Sequence, residues 1–294
     1  MCKFVSQGWH TICKMKLSVS DYKVRKLYTI FIFLLVVLMS ACDFRLKPFE
    51  EDDDDAIEVK IQRYDRIESL YLTTGDFSAL QQMNTEYPIE TRTLIEKVLR
   101  IGHVDDPEIN ATLITFFQDS VLQVLVSDAE LEFANVDDLN ARLTDAFKKI
   151  REWVPDIKIP MIYTQISALD QSIVVGDESV GISIDKYLGE KYPLYQRFYD
   201  SQQRKTMTRK DIIPDLLSFY LLSRYRLPEE IINDQRSRDL HLAKIQWVVN
   251  KILEENYFKS QFINTIDHYY TTNVGIPVAD ILADTDYSKF DTSK

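Results

Sequence analysis

Residues that carry much of enzymatic chemistry are scarce in this chain. It contains three cysteines, four histidines and seven glycines among 294 residues. With so few glycines no G-x-G-x-x-G or G-x-S-x-G can be drawn, and no H-E-x-x-H occurs. These are common fingerprints of nucleotide binding, α/β-hydrolases and zinc peptidases. Gly176 and Gly181 have the spacing of a phosphate-binding loop, but Ile182 replaces its lysine, so the stretch is interpreted as a hairpin turn.

Candidate metal ligands are equally few. Beyond the N-terminal segment the chain has only His103, His241 and His268, and none of them has a second histidine or a cysteine within four residues. A zinc site usually takes three protein ligands, two of them often close in sequence. We therefore expect no metal site and no small-molecule cofactor.

The N-terminal segment has the three parts of an export signal. Basic residues precede an apolar run from Ile30 to Met39, and the small residues Ser40 and Ala41 end it. The run is too short for a membrane-spanning helix, which needs about 20 residues. We predict a signal peptide over residues 1–41, within which Met15 would be a more usual start.

Cys42 follows this segment directly. The sequence Leu-Met-Ser-Ala-Cys at residues 38–42 resembles the lipobox of bacterial lipoproteins, in which the cysteine sulfur receives a diacylglyceryl group before cleavage. Cys2 and Cys13 would be removed with the leader, so the mature chain cannot form an internal disulfide. An ordinary secretory signal with an unrelated cysteine is the alternative. We predict that acylated Cys42 anchors the protein in the cell envelope, at the outer membrane rather than the inner.

The charge of the mature chain is strongly negative. Removing residues 1–41 takes away six basic residues and one acidic residue, which leaves 29 basic against 45 acidic residues, a net charge of −16. Such a charge disfavours nucleic acid as a partner. Glu50 to Asp55 form a block of like charge that repels itself. We predict an acidic tether over residues 42–62, one globular domain over 63–284 and a polar tail over 285–294.

The hydrophobic pattern of the domain predicts an α+β fold that is mainly helical. Apolar residues recur at three- and four-residue spacing from Leu139 to Trp153, which is typical of an amphipathic helix. Residues 159–167 and 173–184 are rich in β-branched side chains, with turn residues at 176–179. We expect a small antiparallel sheet with a hairpin, near 159–187, packed on the helices.

A helix over Asp211 to Tyr225 is predicted to lie at the centre of the domain. Its apolar side chains cover most of its circumference, and such a helix is normally buried.

The central part of the sequence resembles the gliding-motility lipoprotein GldB family of Bacteroidetes. In that family an I/V-Y-T-F-I-S segment leads to a G-I-x-L-D-x-Y-L-G-x-x-Y-P-x-Y block and then to a V-P-D helix. The matching positions are Ile162-Tyr163-Thr164, Ile166-Ser167, Gly181-Ile182, Asp185, Tyr187-Leu188-Gly189, Tyr192-Pro193, Tyr195 and Pro214-Asp215. The resemblance covers residues 130–225 well and fades after Tyr225.

The resemblance implies an envelope lipoprotein of gliding motility or the secretion machinery linked to it, acting through contacts with envelope proteins of unknown identity. The family is distantly similar to zinc peptidases that carry H-E-x-x-H where Pro214 to Ser218 stand here. Pro214 and Ser218 would replace the two histidine ligands, so the resemblance implies a peptidase-like scaffold without zinc and without catalysis. The motif residues predicted to be structural or partner-binding are Tyr163, Asp185, Tyr187, Gly189, Tyr192, Pro193, Tyr195, Pro214 and Asp215.

Two other functions remain open at this point. Asp185 and Asp215 lie in the central unit, and two facing carboxylates there would serve an envelope hydrolase as general acid and base. The tyrosines between residues 187 and 199 would also suit a polysaccharide-binding lipoprotein.

Overall fold

The computed structural model describes residues 57–290. The predicted signal peptide at 1–41, the lipidation site Cys42 and the acidic block from Glu50 to Asp55 lie outside the described residues and stay predictions.

Helices make up the first half of the described chain. Pro88 occupies the first turn of one helix, where its missing N–H removes no hydrogen bond, and the carboxylates of Asp76 and Asp119 accept backbone N–H groups at the start of two others. A π-helical turn, Leu94–Val98, continues the third helix. The helices are α1 Tyr64–Thr74, α2 Phe77–Thr85, α3 Pro88–Thr93, α4 Ile109–Phe117, α5 Ser120–Glu132 and α6 Asp137–Trp153.

The three-stranded sheet has the order β1-β3-β2. Its strands are β1 Met161–Gln165, β2 Ile173–Val175 and β3 Ser179–Ser183. The hairpin between β2 and β3 is antiparallel as predicted, but β1 pairs with β3 in parallel. The α+β class is confirmed, whereas the prediction of a wholly antiparallel sheet is wrong. The loop after β1 leads to β2 at the opposite edge of the sheet. The hairpin then places β3 between β1 and β2, and β3 runs parallel to β1.

The segment before α1 belongs to the folded domain. Val59 and Ile61 are buried, and their backbone N–H groups donate to side chains of α6, Thr144 Oγ1 and Asn140 Oδ1, both at 2.9 Å. Gln62 pairs with β1 through its N–H and carbonyl groups. The tether predicted up to residue 62 is therefore too long at its C-terminal end, because contacts distant in sequence satisfy this backbone.

The central helix, α9 Ile212–Arg224, is buried as the sequence predicts. It contacts β2, β3, α6 and the following long helix, α10 Gln235–Leu253. Among its large apolar side chains only Phe219 is exposed. Two short helices, α7 Pro193–Phe198 and α8 Ser201–Arg204, lie between β3 and α9.

The C-terminal part packs on α10. It consists of α11 Gln261–Thr272, α12 Val278–Ala283 and a 3₁₀ turn, Ser288–Phe290. Tyr287 and Phe290 are buried, so the predicted polar tail at 285–294 is wrong for residues 285–290. These two aromatic side chains, together with hydrogen bonds such as that between His241 and Tyr287, join the segment to the domain.

Within residues 57–290 no single helix is long and apolar enough to cross a membrane. Helices α4 and α5 meet the length and composition only as a pair, and they join at a bend of 85°.

Candidate functional site

Asp185 holds the loop that follows β1. It lies in a 3₁₀ turn directly after β3 and is fully buried. Its Oδ1 accepts the N–H of Ser167 at 2.9 Å, and its Oδ2 accepts the N–H of Leu169 at 2.7 Å. Ala168 and Leu169 both have positive φ, 51° and 67°, which is unfavourable for residues with a Cβ. Asp185 thus stabilises a loop conformation that the backbone alone would avoid.

A second layer of contacts fixes the same loop from the side of α7. Lys186 Nζ donates to the carbonyl of Leu169 at 3.1 Å, and Tyr199 Oη donates to it at 2.8 Å. Tyr195 Oη donates to the carbonyl of Asp185 at 2.5 Å and accepts the N–H of Leu188 at 2.9 Å. The polar atoms of this part of the motif are therefore engaged inside the domain.

Tyr187, which is buried, and Asp215, which is partly buried, form a hydrogen-bonded pair between the hairpin and α9. Tyr187 Oη donates to Asp215 Oδ2 at 2.9 Å. Burial, and secondarily the negative charge of Asp211, raise the pKa of Asp215 to about 7. Asp211 in turn accepts a hydrogen bond from Tyr257 Oη.

The two carboxylates of the predicted hydrolase, Asp185 and Asp215, differ in their hydrogen bonding. The oxygens of Asp185 already accept hydrogen bonds from Ser167 and Leu169, and burial raises its pKa more than those bonds lower it. The Asp215 carboxylate accepts from Tyr187 and has a pKa of about 7. Asp185 is thus placed as a structural group, and any acid–base chemistry would rest on Asp215.

Asp215→Asn is expected to make stability less dependent on pH. In the folded domain the pKa of Asp215 is about 7, above the value of about 3.9 for an unfolded aspartate. The contribution of protonated Asp215 to the stability of the folded domain is therefore fully present below about pH 4 and is lost as the pH rises towards 7. An asparagine stays neutral and still accepts from Tyr187. We expect similar unfolding free energies at pH 4.5 and a variant more stable by roughly 2–4 kcal/mol at pH 8, measured by urea unfolding. A variant less stable at pH 8 would contradict this.

The Gly189 to Tyr195 part of the motif positions α7. Gly189 has a φ of 111° and its N–H donates to the carbonyl of Met207 at 2.9 Å, a conformation that favours glycine. Pro193 starts α7, and Tyr192 Oη donates to Asp128 of α5 at 2.8 Å. These contacts fix the distance between α5 and α7.

An apolar groove lies between α5 and α7, and we call it the α5–α7 groove. It has a volume of about 730 Å³, and a further hollow of about 380 Å³ shares its walls and reaches Val124 and Tyr192. Phe198 is 63% exposed and Val124 58% exposed. Asp119 and Arg197 also line it. Its main apolar residues are Phe116, Val121, Leu122, Leu169, Leu194 and Phe198.

The structure brings the predicted motif residues together, but mostly beneath the surface. Tyr163, Asp185, Tyr187 and Tyr195 are buried. Pro193 and Tyr192 line the groove. The sequence interpretation missed Phe116 and Val121, whose apolar character looks like core until the fold shows them exposed.

Tyr192, Tyr195 and Tyr199 form a ring cluster in which Tyr195 is buried and the other two are partly buried. The rings of Tyr192 and Tyr195 meet edge to face at 4.9 Å, and those of Tyr195 and Tyr199 at 5.9 Å. Their hydroxyl groups donate to protein acceptors. Few of these groups are therefore available to a sugar.

The helix positions where zinc peptidases carry ligands hold a backbone contact here. Ser218 Oγ donates to the carbonyl of Pro214 at 2.8 Å. Within residues 57–290 no group of three or more His, Cys, Asp or Glu side chains is placed to hold a metal ion. The likeness to zinc peptidases stays a prediction, since no solved structure matches the chain.

Comparison with known families gives one match. A family model described as gliding motility protein GldB, labelled as a lipoprotein family, matches residues 47–262. It extends beyond residues 130–225, where the quoted motifs lie, so the resemblance does not end at Tyr225. No curated protein matches the chain.

Proposed function

Because the chain belongs to the gliding motility protein GldB family, we propose that it is a lipid-anchored, non-catalytic component of the gliding machinery or of the secretion apparatus linked to it. Its role is to bind other envelope proteins. The gliding assignment follows from the family, and the anchor and binding role are supported by the residues below.

The proposed anchor is Cys42, at the outer membrane. The lipobox at residues 38–42 and the lipoprotein label of the family support it. An acyl anchor contributes about 0.8 kcal/mol per buried methylene, and stable attachment takes more than one chain. A mature chain with a net charge of −16 gains little from anionic headgroups, so the lipid supplies the affinity.

The observation that supports the binding role is that the motif residues make contacts inside the domain, whereas the surface next to them is left open. Its polar side chains hold one another, the loop after β1 and α7 in place. The surface that they support is the α5–α7 groove, which is apolar and exposed. Exposed apolar patches of this kind mark protein interaction sites. The proposed occupant is a segment of an envelope protein that offers apolar side chains.

A charged side chain placed in the α5–α7 groove is expected to abolish binding of the partner protein. Phe198→Asp puts an unpaired carboxylate into the apolar contact, which costs several kcal/mol in a closed interface. Crosslinking in cells followed by mass spectrometry should then recover at least tenfold less of the partner, since about 1.4 kcal/mol is a factor of ten.

Leu131→Asp is the matched control for this experiment. Leu131 is 79% exposed on α5 and does not line the groove, so the same chemical change should leave crosslinking unchanged. Equal recovery of the partner from Phe198→Asp and the unsubstituted protein would contradict the groove as the binding surface.

Cys42→Ser tests the anchor. We expect the full-length precursor to accumulate, with no incorporation of labelled fatty acid, because serine lacks the sulfur that is acylated. Gliding on agar should be lost together with membrane retention. Normal processing and normal membrane fractionation would remove the lipoprotein assignment.

A second candidate function, an envelope hydrolase, is favoured only by Asp215 with its pKa of about 7. It requires turnover of a peptide or glycan substrate that Asp215→Asn abolishes without lowering the melting temperature. If purified protein turns over neither casein nor peptidoglycan, the hydrolase is excluded for these substrate classes.

A further inference from the structure

A second surface, distinct from the α5–α7 groove, lies between α3 and the sheet. It is a cleft of about 960 Å³, and we call it the β2 cleft. One wall is formed by α3, with Ile89 and Glu90, and by the π-helical turn, with Lys97. The other is the sheet, with Tyr163 on β1 and the whole of β2.

Two polar groups in this cleft have no partner among the described residues. Glu90 is 4% exposed and Tyr163 2% exposed, and both line the cleft. The described hydrogen bonds and ion pairs include none to the Glu90 carboxylate or to Tyr163 Oη. The Glu90 oxygens and Tyr163 Oη are not among the side-chain polar atoms of the described residues that are both sealed from solvent and unpaired, so they are open to the cleft. The cleft thus holds an acceptor for a donor that the domain itself does not provide.

The position of Tyr163 depends on the strand beside it. A Cβ atom on Gly181 would lie 2.6 Å from Cζ and 2.7 Å from Oη of Tyr163. Only glycine in β3 therefore lets the phenol lie across the sheet towards Glu90. Burial, and then the charges of Glu90 and Glu68, raise the pKa of Tyr163, so it stays a hydrogen-bond donor and acceptor at neutral pH.

The edge of β2 offers backbone groups to the same cleft. Gly176 N donates to Ser179 O at 2.8 Å and Ser183 N to Ser172 O at 2.9 Å. In an antiparallel pair the hydrogen-bonded positions alternate. The backbone N–H and carbonyl groups of Val174 therefore point towards β3. Those of Ile173 and Val175 point away from β3, to the free edge of the sheet. An unpaired edge of this kind is a template for an added strand.

The charges around the cleft decide what that strand carries. Of the charged residues that line the cleft, Asp177, Glu178 and Glu90 are acidic and Lys97 is basic. Just outside the lining, Lys158 lies 4.0 Å from the Glu178 carboxylate, and Arg224 donates to the carbonyl of Asp177 at 2.8 Å. The acidic block from Glu50 to Asp55 of this chain has the wrong charge to enter. A basic side chain pairs with Glu90 and is favoured by the two acids near the turn.

We propose that the β2 cleft binds an extended segment of a partner protein, which pairs with the edge of β2 and places a lysine or arginine side chain against Glu90 and Tyr163. This deepens the proposed function, on which it rests, by naming a second contact and the chemistry of its occupant. Main-chain hydrogen bonds to Ile173 and Val175 supply register, and Glu90 selects the basic residue.

Fluorescence anisotropy with a labelled probe peptide tests this. The probe is acetyl-Thr-Val-Lys-Val-Thr-amide, compared with the same peptide carrying Glu in place of Lys, and the protein is the full mature chain in detergent. We expect the Lys peptide to bind at least tenfold more tightly. Glu90→Gln should remove that preference without lowering the melting temperature, since the change breaks no hydrogen bond or ion pair among the described residues. Glu86→Gln, an exposed acid before α3, should bind as the unsubstituted protein does.

Val175→Pro tests the edge separately. Proline removes an N–H that faces outwards, so β2 keeps its pairing with β3 but cannot hydrogen-bond the peptide there. We expect loss of binding for Val175→Pro and full binding for Val175→Thr. If Val175→Pro fails to fold, Glu90→Gln still decides the question.

The proposal is overturned if neither peptide binds, if both bind equally, or if Glu90→Gln leaves the preference intact. The groove and anchor experiments are independent of this outcome. Loss of the partner in Phe198→Asp together with an inert β2 cleft would leave the proposed function standing and remove only the second contact.

Discussion

Replacing Asp185 by alanine is expected to destabilise the domain by about 4–6 kcal/mol. The change leaves the N–H groups of Ser167 and Leu169 without an acceptor, and each unsatisfied buried group costs about 1–3 kcal/mol. It also removes what holds Ala168 and Leu169 at positive φ, and it leaves a cavity in a fully buried position. Urea unfolding followed by tryptophan fluorescence measures the loss.

Two further variants separate this explanation from others. Asp185→Asn keeps one acceptor oxygen and should lose about half as much stability as the alanine variant. Asp170→Ala is the matched control in the same loop, because Asp170 makes a surface ion pair with Arg100 at 2.7 Å, and such pairs contribute about 0–1 kcal/mol. An Asp185→Ala domain as stable as the Asp170→Ala domain would show that the hydrogen bonds from Asp185 to the loop contribute nothing to stability.

Removing residues 285–294 is expected to cost about 5 kcal/mol or more. Phe290 is 2% exposed and packs edge to face on Tyr269 at 5.0 Å, and truncating a buried aromatic side chain costs about 3–5 kcal/mol. Tyr287 is lost as well, and its Oη lies 2.7 Å from His241 Nδ1. His241, a buried histidine of α10, is then left without that partner.

A chain that ends at Phe290 is the control for this truncation. It lacks residues 291–294 but retains both aromatic side chains, so it should melt within about 2 °C of the full chain, as expected for a change below about 0.5 kcal/mol. The point substitution Phe290→Ala should reproduce most of the loss of the long truncation. Full stability of the chain that ends at Asp284 would restore the tail interpretation.

Residues 285–290 show what a local sequence pattern cannot predict. Residues 285–290 are polar except for two aromatics, and local composition gives them no reason to be ordered. They pack on the domain because His241 of α10 contacts Tyr287 Oη, Lys244 of α10 lies over the Tyr287 ring, and Tyr269 of α11 packs on Phe290. The same holds for Val59 and Ile61, whose backbone is satisfied by α6, about 80 residues away in sequence.

The candidate sites divide in the same way. The sequence motif leads directly to Asp185, Tyr187, Tyr195 and Asp215, because short-range spacing and family resemblance mark them. Their role as internal supports depends on which atoms they reach, and that is set by tertiary packing. The α5–α7 groove and the β2 cleft carry no motif of their own, since Phe198 and Glu90 read as an ordinary apolar and an ordinary acidic helix residue.

By itself, the sequence determined the family, the predicted export signal with Cys42, the mainly helical class, the hairpin and the buried α9, because local periodicity and short motifs encode these. Only the tertiary structure decided that β1 is parallel to β3, that residues 285–290 pack on the domain, that the Asp185 carboxylate accepts two backbone N–H groups, and that Glu90 lines the β2 cleft with no partner among the described residues. The physical reason is that strand order, burial and hydrogen-bond satisfaction are properties of residues far apart in the chain, which no local pattern contains.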